Sequence, residues 1–381
     1  MFLYKSTPEI HIFAKSFCHM RIAWFIAIVG ICLLLLTSYC LEIPGIRYLL
    51  LFPLRLMGML MILVGLGGAM YHRIKVGTAS ESLQNRMLMG YSIVLTLLLA
   101  EGIAMLIPQT HEVGYTLSAQ TWLRYCWEPL NELGYRDEKV QADTNMKHIL
   151  IVGDSFTAGY GICDVNQRYS NLLAQQLPDD HHVHNLGHNG ADTREAYKRL
   201  LEYPVSPDLV IVQYYSNDVD GIARDQGIDF GGFEPYQDIP LLSRPIIRGS
   251  FLANLLYWQF PHADKQPYVE FLQSAYQDTS LLNTHLHDLN QFASYAKDQG
   301  IPLIVLIFPF LRDLEGSFFV STIEQHFQAQ DIPVINLIPQ LQPIPPMQRV
   351  VNKHDAHPNE RVHALAAQAL YETLRPQLPL P

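Results

Sequence analysis

The sequence is short of charge. Only 16% of its 381 residues are Asp, Glu, Lys or Arg, and 26 basic residues face 36 acidic ones, a formal net charge of -10. No stripe of Lys and Arg stands anywhere in the C-terminal two thirds. Nucleic acid is thereby excluded as a partner, because phosphate binding needs clustered cations. Internal repeats are lacking, and so are low-complexity tracts apart from a proline-rich C-terminal end, so no repeat architecture is expected. Cysteine is scarce too: of five, Cys18, Cys32 and Cys40 lie in or beside apolar runs, leaving Cys126 and Cys163. An oxidising compartment permits a disulfide between those two; the alternative is a pair of free thiols.

What the chain has in excess is apolar residues, 49% of the total and concentrated in the first third. Three runs, about 22–41, 48–70 and 87–107, approach or exceed the ~20 residues that cross a bilayer. Lys5, Lys15 and Arg21 precede the first, and Arg73, Lys75 and Arg86 lie between the second and third, whereas the loop 42–47 holds a single arginine. By the positive-inside rule the N-terminus is cytoplasmic, and three crossings place the remainder outside. A cleaved signal peptide fits less well, since the apolar core is too long, and the bulky Tyr39 argues against lipidation at Cys40. Pro53 is expected to kink the second span. Arg55 in that span either snorkels to the interface or is neutralised by Glu101 of the third; Glu101 is otherwise a functional residue or an interfacial one. Gly65 and Ala69 have the spacing that lets helices pack closely.

Behind the apolar run 149–152 comes Gly153-Asp154-Ser155-Phe156-Thr157. A buried strand ending this way holds a hydroxyl at the carboxyl edge of a parallel sheet, where open α/β folds bind ligands. Serine is inert without a base. Near the C-terminus His354-Asp355-Ala356-His357 precedes a helix-like run from Glu360, and His357 is the candidate base, oriented by Asp355 on the same loop. Two further signals, Asn185 to Thr193 and Ser216-Asn217-Asp218, follow strand-like runs. Strand candidates at 148–152, 182–185, 208–214, 302–308 and 333–337 alternate with helical patterns at 169–177, 193–202, 280–297, 317–328 and 360–374. That alternation implies a parallel sheet covered on both faces, an α/β fold built as a three-layer α/β/α sandwich.

Taken together, the four blocks resemble those of the SGNH/GDSL hydrolase superfamily, over roughly residues 128–378. The resemblance implies a flavodoxin-like sheet and a serine esterase that needs no cofactor. It implies Ser155 as nucleophile, His357 and Asp355 completing a triad, and an oxyanion hole from the Ser155 amide, Gly190 and Asn217. The segment 129–137 is similar to the lead-in of membrane-anchored members. Two departures are visible: Tyr215 stands where the third block usually has glycine, which narrows the expected pocket, and the last block is Asp-x-His rather than Asp-x-x-His. Acyl esters, O-acetyl groups among them, on cell-envelope glycans are the expected substrates. An O-acyltransferase on envelope polysaccharide, or a non-catalytic glycan-binding subunit of envelope polysaccharide machinery, remains the alternative.

The chain thus divides into a membrane region (1–110), a linker and lead-in (111–146) and a hydrolase-like domain (147–381). An aromatic-rich insertion at 221–279, with Phe230, Phe233, Tyr236, Tyr257, Trp258, Phe260 and Tyr268, reads either as a lid or substrate platform or as a structural cap. Residues 250–260 within it have the pattern of a short amphipathic helix that touches sugar or a membrane surface. His182 and His184 share a strand face with His181 and His188 nearby, but no third metal ligand with firm spacing accompanies them, so a polar strand entrance is the default. Asp154 and Asp218 read as turn stabilisers.

Overall fold

Continuous apolar runs in the sequence become a sheet buried on both faces. The computed structural model describes residues 8–40, 48–77, 79–112, 114, 116–228, 236, 239–260 and 266–377. Phe230, Phe233 and the loop 42–47 lie outside these. The chain separates into two compact units, one of residues 1–109, 115–124 and 235–262, the other of 110–114, 125–234 and 263–381.

The first unit is helical. It contains α1 (Pro8–Cys40), α2 (Tyr48–Lys75), α3 (Glu81–Ala104), most of α4 (Leu117–Cys126), and, from far along the sequence, α9 (Arg244–Gly249) and α10 (Phe251–Tyr257). Three stretches, Cys18–Cys40, Leu51–Lys75 and Glu81–Ala104, are long and apolar enough to cross a membrane. Helix α3 begins six residues before the apolar run predicts, because Ser80 caps it by accepting the Leu83 amide. Helices α1 and α2 pack closely at Gly65, where an added Cβ would lie 2.5 Å from the Ala27 nitrogen. The Arg55 guanidinium pairs with the Glu101 carboxylate at 2.8 Å.

The second unit is the α/β sandwich. Its sheet comprises β1 (Lys147–Gly153), β2 (His181–Gly187), β3 (Leu209–Tyr214), β4 (Leu303–Ile307) and β5 (Val334–Asn336), all parallel, in the order β2-β1-β3-β4-β5. This is the flavodoxin-like order, with its switch point between β1 and β3. Leu150, Val152, Val210, Val212 and Val305 face one layer, packed with α7 (Thr193–Glu202), α11 (Gln266–Gln277), α12 (Thr279–Gln299) and α13 (Phe319–Gln328). Ile149, Ile151, Ile211, Ile304 and Leu306 face the other, against α6 (Tyr169–Ala174), α14 (Ile338–Leu341) and α15 (Glu360–Leu374). Burial on both faces is why these strands read as continuous apolar runs.

Two findings depart from the sequence reading. The insertion is not one element: α8 (Asp220–Asp225) and α11 pack in the sandwich, whereas 235–262 folds with the apolar helices. Asp355 and His357 are not on an open loop either. They occupy β7 (Asp355–Pro358), the return strand of an antiparallel hairpin with β6 (Val350–Asn352). The two-residue connection is too short, and the strands too polar, for alternation to announce them; the Asn352 carbonyl side chain accepting the His354 amide at 2.8 Å closes the turn.

Candidate active site

Strand β1 ends at Gly153, and only glycine fits there: a Cβ would fall 2.3 Å from Gln213 Oε1 and 2.4 Å from Thr157 Oγ1. Gln213, buried on β3, uses that closeness to accept from the Asp154 amide (3.0 Å) and from Thr157 Oγ1 (2.9 Å). The chain then turns into α5 (Ser155–Ala158), capped by Asp154, whose carboxylate accepts the Phe156 amide at 2.8 Å. Ser155 is consequently held at the first position of a one-turn helix at the switch point of the sheet.

Helix α15 and the β6–β7 hairpin bring the C-terminal residues to the same place. His357 Nε2 lies 2.8 Å from Ser155 Oγ, and His357 Nδ1 lies 2.5 Å from Asp355 Oδ1. Asp355 also accepts the His357 amide at 3.1 Å, so the Asp-x-His spacing fastens both backbone and ring of the histidine to one carboxylate. Asp355 is fully buried. Burial pushes its carboxyl up, but the charge and hydrogen bonds of His357 and a hydrogen bond from Thr110 outweigh this and hold it below the usual carboxylate range. The imidazole is flanked by Tyr160 and Phe156, with ring centroids 4.9 and 5.2 Å away.

Gly190 sits in a left-handed turn (φ 75°) after β2, and Asn217 in a 3₁₀ turn after β3, so both follow strand ends on the edge that carries Ser155. Asp218 accepts the Tyr215 amide at 2.9 Å and thereby fixes that turn. Burial pushes the carboxyls of Asp154 and Asp218 up, a cost these turns bear. Tyr215 stacks on Phe156 at 4.4 Å and meets Phe310 and Phe319 edge-on, forming an aromatic wall beside the Ser155 turn.

Several contributors were not legible in the sequence. Thr110, buried, belongs to the segment between the long apolar helices and the sandwich, yet it binds both Asp355 and the Asn352 side chain. Asn185 ties β2 to the Ser155 turn, its Nδ2 donating to the Thr157 carbonyl and Ser170 Oγ at 2.7 Å each. Arg136, from the lead-in segment, donates to the carbonyls of Gly159 and Ile162, each at 2.7 Å, and fastens the loop after α5 from below. Cys126 and Cys163, for which the sequence allowed a disulfide, are joined in one beside it. The histidines of β2 are engaged otherwise: His184 bridges His148 and Tyr203 through its two ring nitrogens, 2.9 Å each, and among the described residues no group of three metal-ligating side chains occurs.

The profile of the GDSL-like lipase/acylhydrolase family matches residues 151–368, more than half of the chain and all of the blocks around Ser155, Asn217 and His357. The chain belongs to this family. It is accordingly an ester-hydrolysing enzyme. Among solved structures it is similar to a lipase/acylhydrolase from Enterococcus faecalis (18% identity, 61% of this chain and 98% of that one, TM-score 0.36). It is similar also to a carbohydrate acetylesterase family member from Sinorhizobium meliloti (15%, 62% and 100%, TM-score 0.33). A lipolytic protein of the G-D-S-L family from Veillonella parvula stands at the same level (15%, 60% and 98%, TM-score 0.33). At these TM-scores the likenesses carry no weight of their own, and membership of the family rests on the matched profile. No curated protein is detectably similar to the chain.

Proposed function

We propose that this family member is a serine esterase, tethered to a bacterial inner membrane and facing outward, that removes acyl groups, O-acetyl among them, from cell-envelope carbohydrate. The observation that carries the reading is the unbroken relay from Asp355 through His357 to Ser155, 2.5 and 2.8 Å. In the first half-reaction His357 Nε2 takes the Ser155 proton as Oγ attacks the ester carbonyl, while Asp355 holds the ring and stabilises the imidazolium. The Ser155 amide, the Gly190 amide and the Asn217 side chain are the donors proposed for the oxyanion, each worth roughly 3 kcal/mol of barrier in comparable sites. His357 then protonates the leaving alcohol. Water, activated by the same histidine, releases the acid and restores Ser155. The spans and their flanking basic residues support the envelope as the place of action.

The test uses the full chain in detergent micelles, with 4-nitrophenyl acetate and an O-acetylated polysaccharide as substrates. Ser155→Ala is expected to lower turnover by about 10³-fold or more, with free acetate as the wild-type product. Equal turnover by wild type and variant would remove the assignment.

A further inference from the structure

Residues 239–260 lie in sequence inside the α/β sandwich, between α8 and α11, yet belong to the compact unit of the apolar helices. Their apolar side chains fall into two sets. Phe251 and Trp258 point inward and are buried beside the polar Asn254, Phe251 joining a core with Met59, Ala104, Met105 and Leu117. Leu241, Leu242, Ile246, Leu256 and Phe260 point away, with Leu242 93% and Leu241 77% exposed. Five large apolar groups at high exposure within twenty-odd residues form a patch, not the scatter of single side chains found on ordinary surfaces.

What holds this segment is polar and ties it to α1, α2 and α3. Glu101 accepts from Ser250 Oγ (2.7 Å) and from the amides of Phe251 and Leu252 (2.9 Å each), besides its pair with Arg55. Arg55 also donates to Ser38 Oγ (2.9 Å) and to the Gly249 carbonyl, and Ser38 Oγ donates to that same carbonyl at 3.0 Å. Gly249 is obligatory at this crossing, since a Cβ would lie 2.5 Å from that of Ser38. Ser38 is two residues from the end of α1 and Glu101 three from the end of α3. At ~1.5 Å of rise per residue, the knot sits within about 5 Å of the helix ends, the level at which a span meets the headgroups. Beside it opens a cavity of about 640 Å³ whose walls include Leu34, Leu97, Leu98, Pro245 and Leu256. Glu101 and Arg55 neutralise each other there, so the cavity offers no net charge to an ionic ligand.

We propose that residues 239–260 are an interfacial membrane element: α9 and α10 lie at the bilayer surface beside the C-terminal ends of α1 and α3, and phospholipid acyl chains cover Leu241, Leu242, Ile246, Leu256 and Phe260 and fill the cavity. Three observations select lipid as the occupant. Ile246 and Leu256 share the cavity with Leu35 and Leu97, exposed on α1 and α3; the polar side chains that reach it, Ser38, Arg55, Glu101 and Ser250, are bonded to one another or to the backbone; and the rest of its lining is apolar and its size suits an acyl chain. This element does not depend on the esterase reading, and neither does its test.

The test is fluorescence on the full chain in phosphatidylcholine vesicles. Cys18, Cys32 and Cys40 are replaced by serine, and Leu242→Cys is labelled with nitrobenzoxadiazole; Lys198→Cys, on the exposed face of α7, serves as the aqueous control. The label at 242 is expected to emit to the blue of that at 198, to be quenched severalfold by nitroxides on lipid acyl chains, and to be shielded from aqueous iodide. Iodide access equal to that at 198 without nitroxide quenching overturns the proposal. So does a label shielded from both quenchers, which would mean a protein surface covers the patch. Glu101→Gln, which weakens the fastening without touching position 242, is expected to raise iodide access there severalfold; no change would remove Glu101 from that role.

Discussion

Asp355 shows how one residue can be asked to do three things at once. It orients a ring, accepts a backbone amide two residues on, and remains charged while fully buried. Replacing it by Asn keeps the volume but offers His357 Nδ1 either an amide donor or a neutral acceptor in place of the carboxylate. Asp355→Asn is therefore expected to reduce kcat by about 10⁴-fold, as the same change does in serine-protease triads, with the fold retained by circular dichroism. A variant within tenfold of wild type would mean that another group orients the histidine. His363 offers a separate check on burial. Its Nδ1 accepts the Tyr169 amide at 3.2 Å, and burial, followed by the nearby charge of Arg168, lowers its pKa to about 3. The folded imidazole stays neutral between about 6.5 and about 3 while the unfolded one takes a proton, so this group's contribution to stability is present above pH 6.5 and is lost as the pH falls. The stability gap between wild type and His363→Leu is expected to narrow by up to ~1.4 kcal/mol per pH unit below 6.5, measured by unfolding at a series of pH values in detergent. A gap that is flat or widens would show that the imidazole titrates normally in the folded chain.

At the scale of elements, the strongly periodic or continuously apolar segments were legible. Strands β1, β3 and β4 and helices α7 and α15 stand within a residue or two of their sequence ranges, because each is determined by its own pattern of burial. The β6–β7 hairpin was not. Its three- and four-residue strands have no apolar alternation, and it forms because Asn352, Thr110 and Asp355 satisfy one another across sequence separations that no local pattern records. The division of the insertion was hidden for a similar reason: aromatic residues at 236–258 and at 268–276 look alike in sequence, and only their partners, Met59, Met105 and Leu117 around Phe251 for the first, Tyr214 and Ser216 at Tyr276 for the second, separate them. The disulfide between Cys126 and Cys163 closes a separation of 37 residues that contains the lead-in segment and the Ser155 turn. Cys163→Ser is expected to cost about 3–4 kcal/mol in this loop-closure regime, read as a lowered midpoint of unfolding, whereas reducing agent should lower wild type and leave the variant unchanged. Equal midpoints for wild type and variant would show that the bond constrains nothing.

For the whole molecule, the sequence order of the four blocks was legible as an order, and their convergence as an inference from topology. Parallel strands in the order β2-β1-β3-β4-β5 send every loop after a strand to one edge, so residues at 155, 190 and 217 share it by necessity. His357 arrives by a different route, through a hairpin outside the sheet, and its 2.8 Å approach to a serine 202 positions earlier is the tertiary fact on which the esterase reading stands. The most direct measurement is covalent. A fluorophosphonate incubated with the purified full chain, followed by peptide mass analysis, is expected to place a single adduct on Ser155, and His357→Ala is expected to slow its formation by about 10³-fold or more. An adduct on a different serine, or unchanged labelling in the histidine variant, would contradict the account.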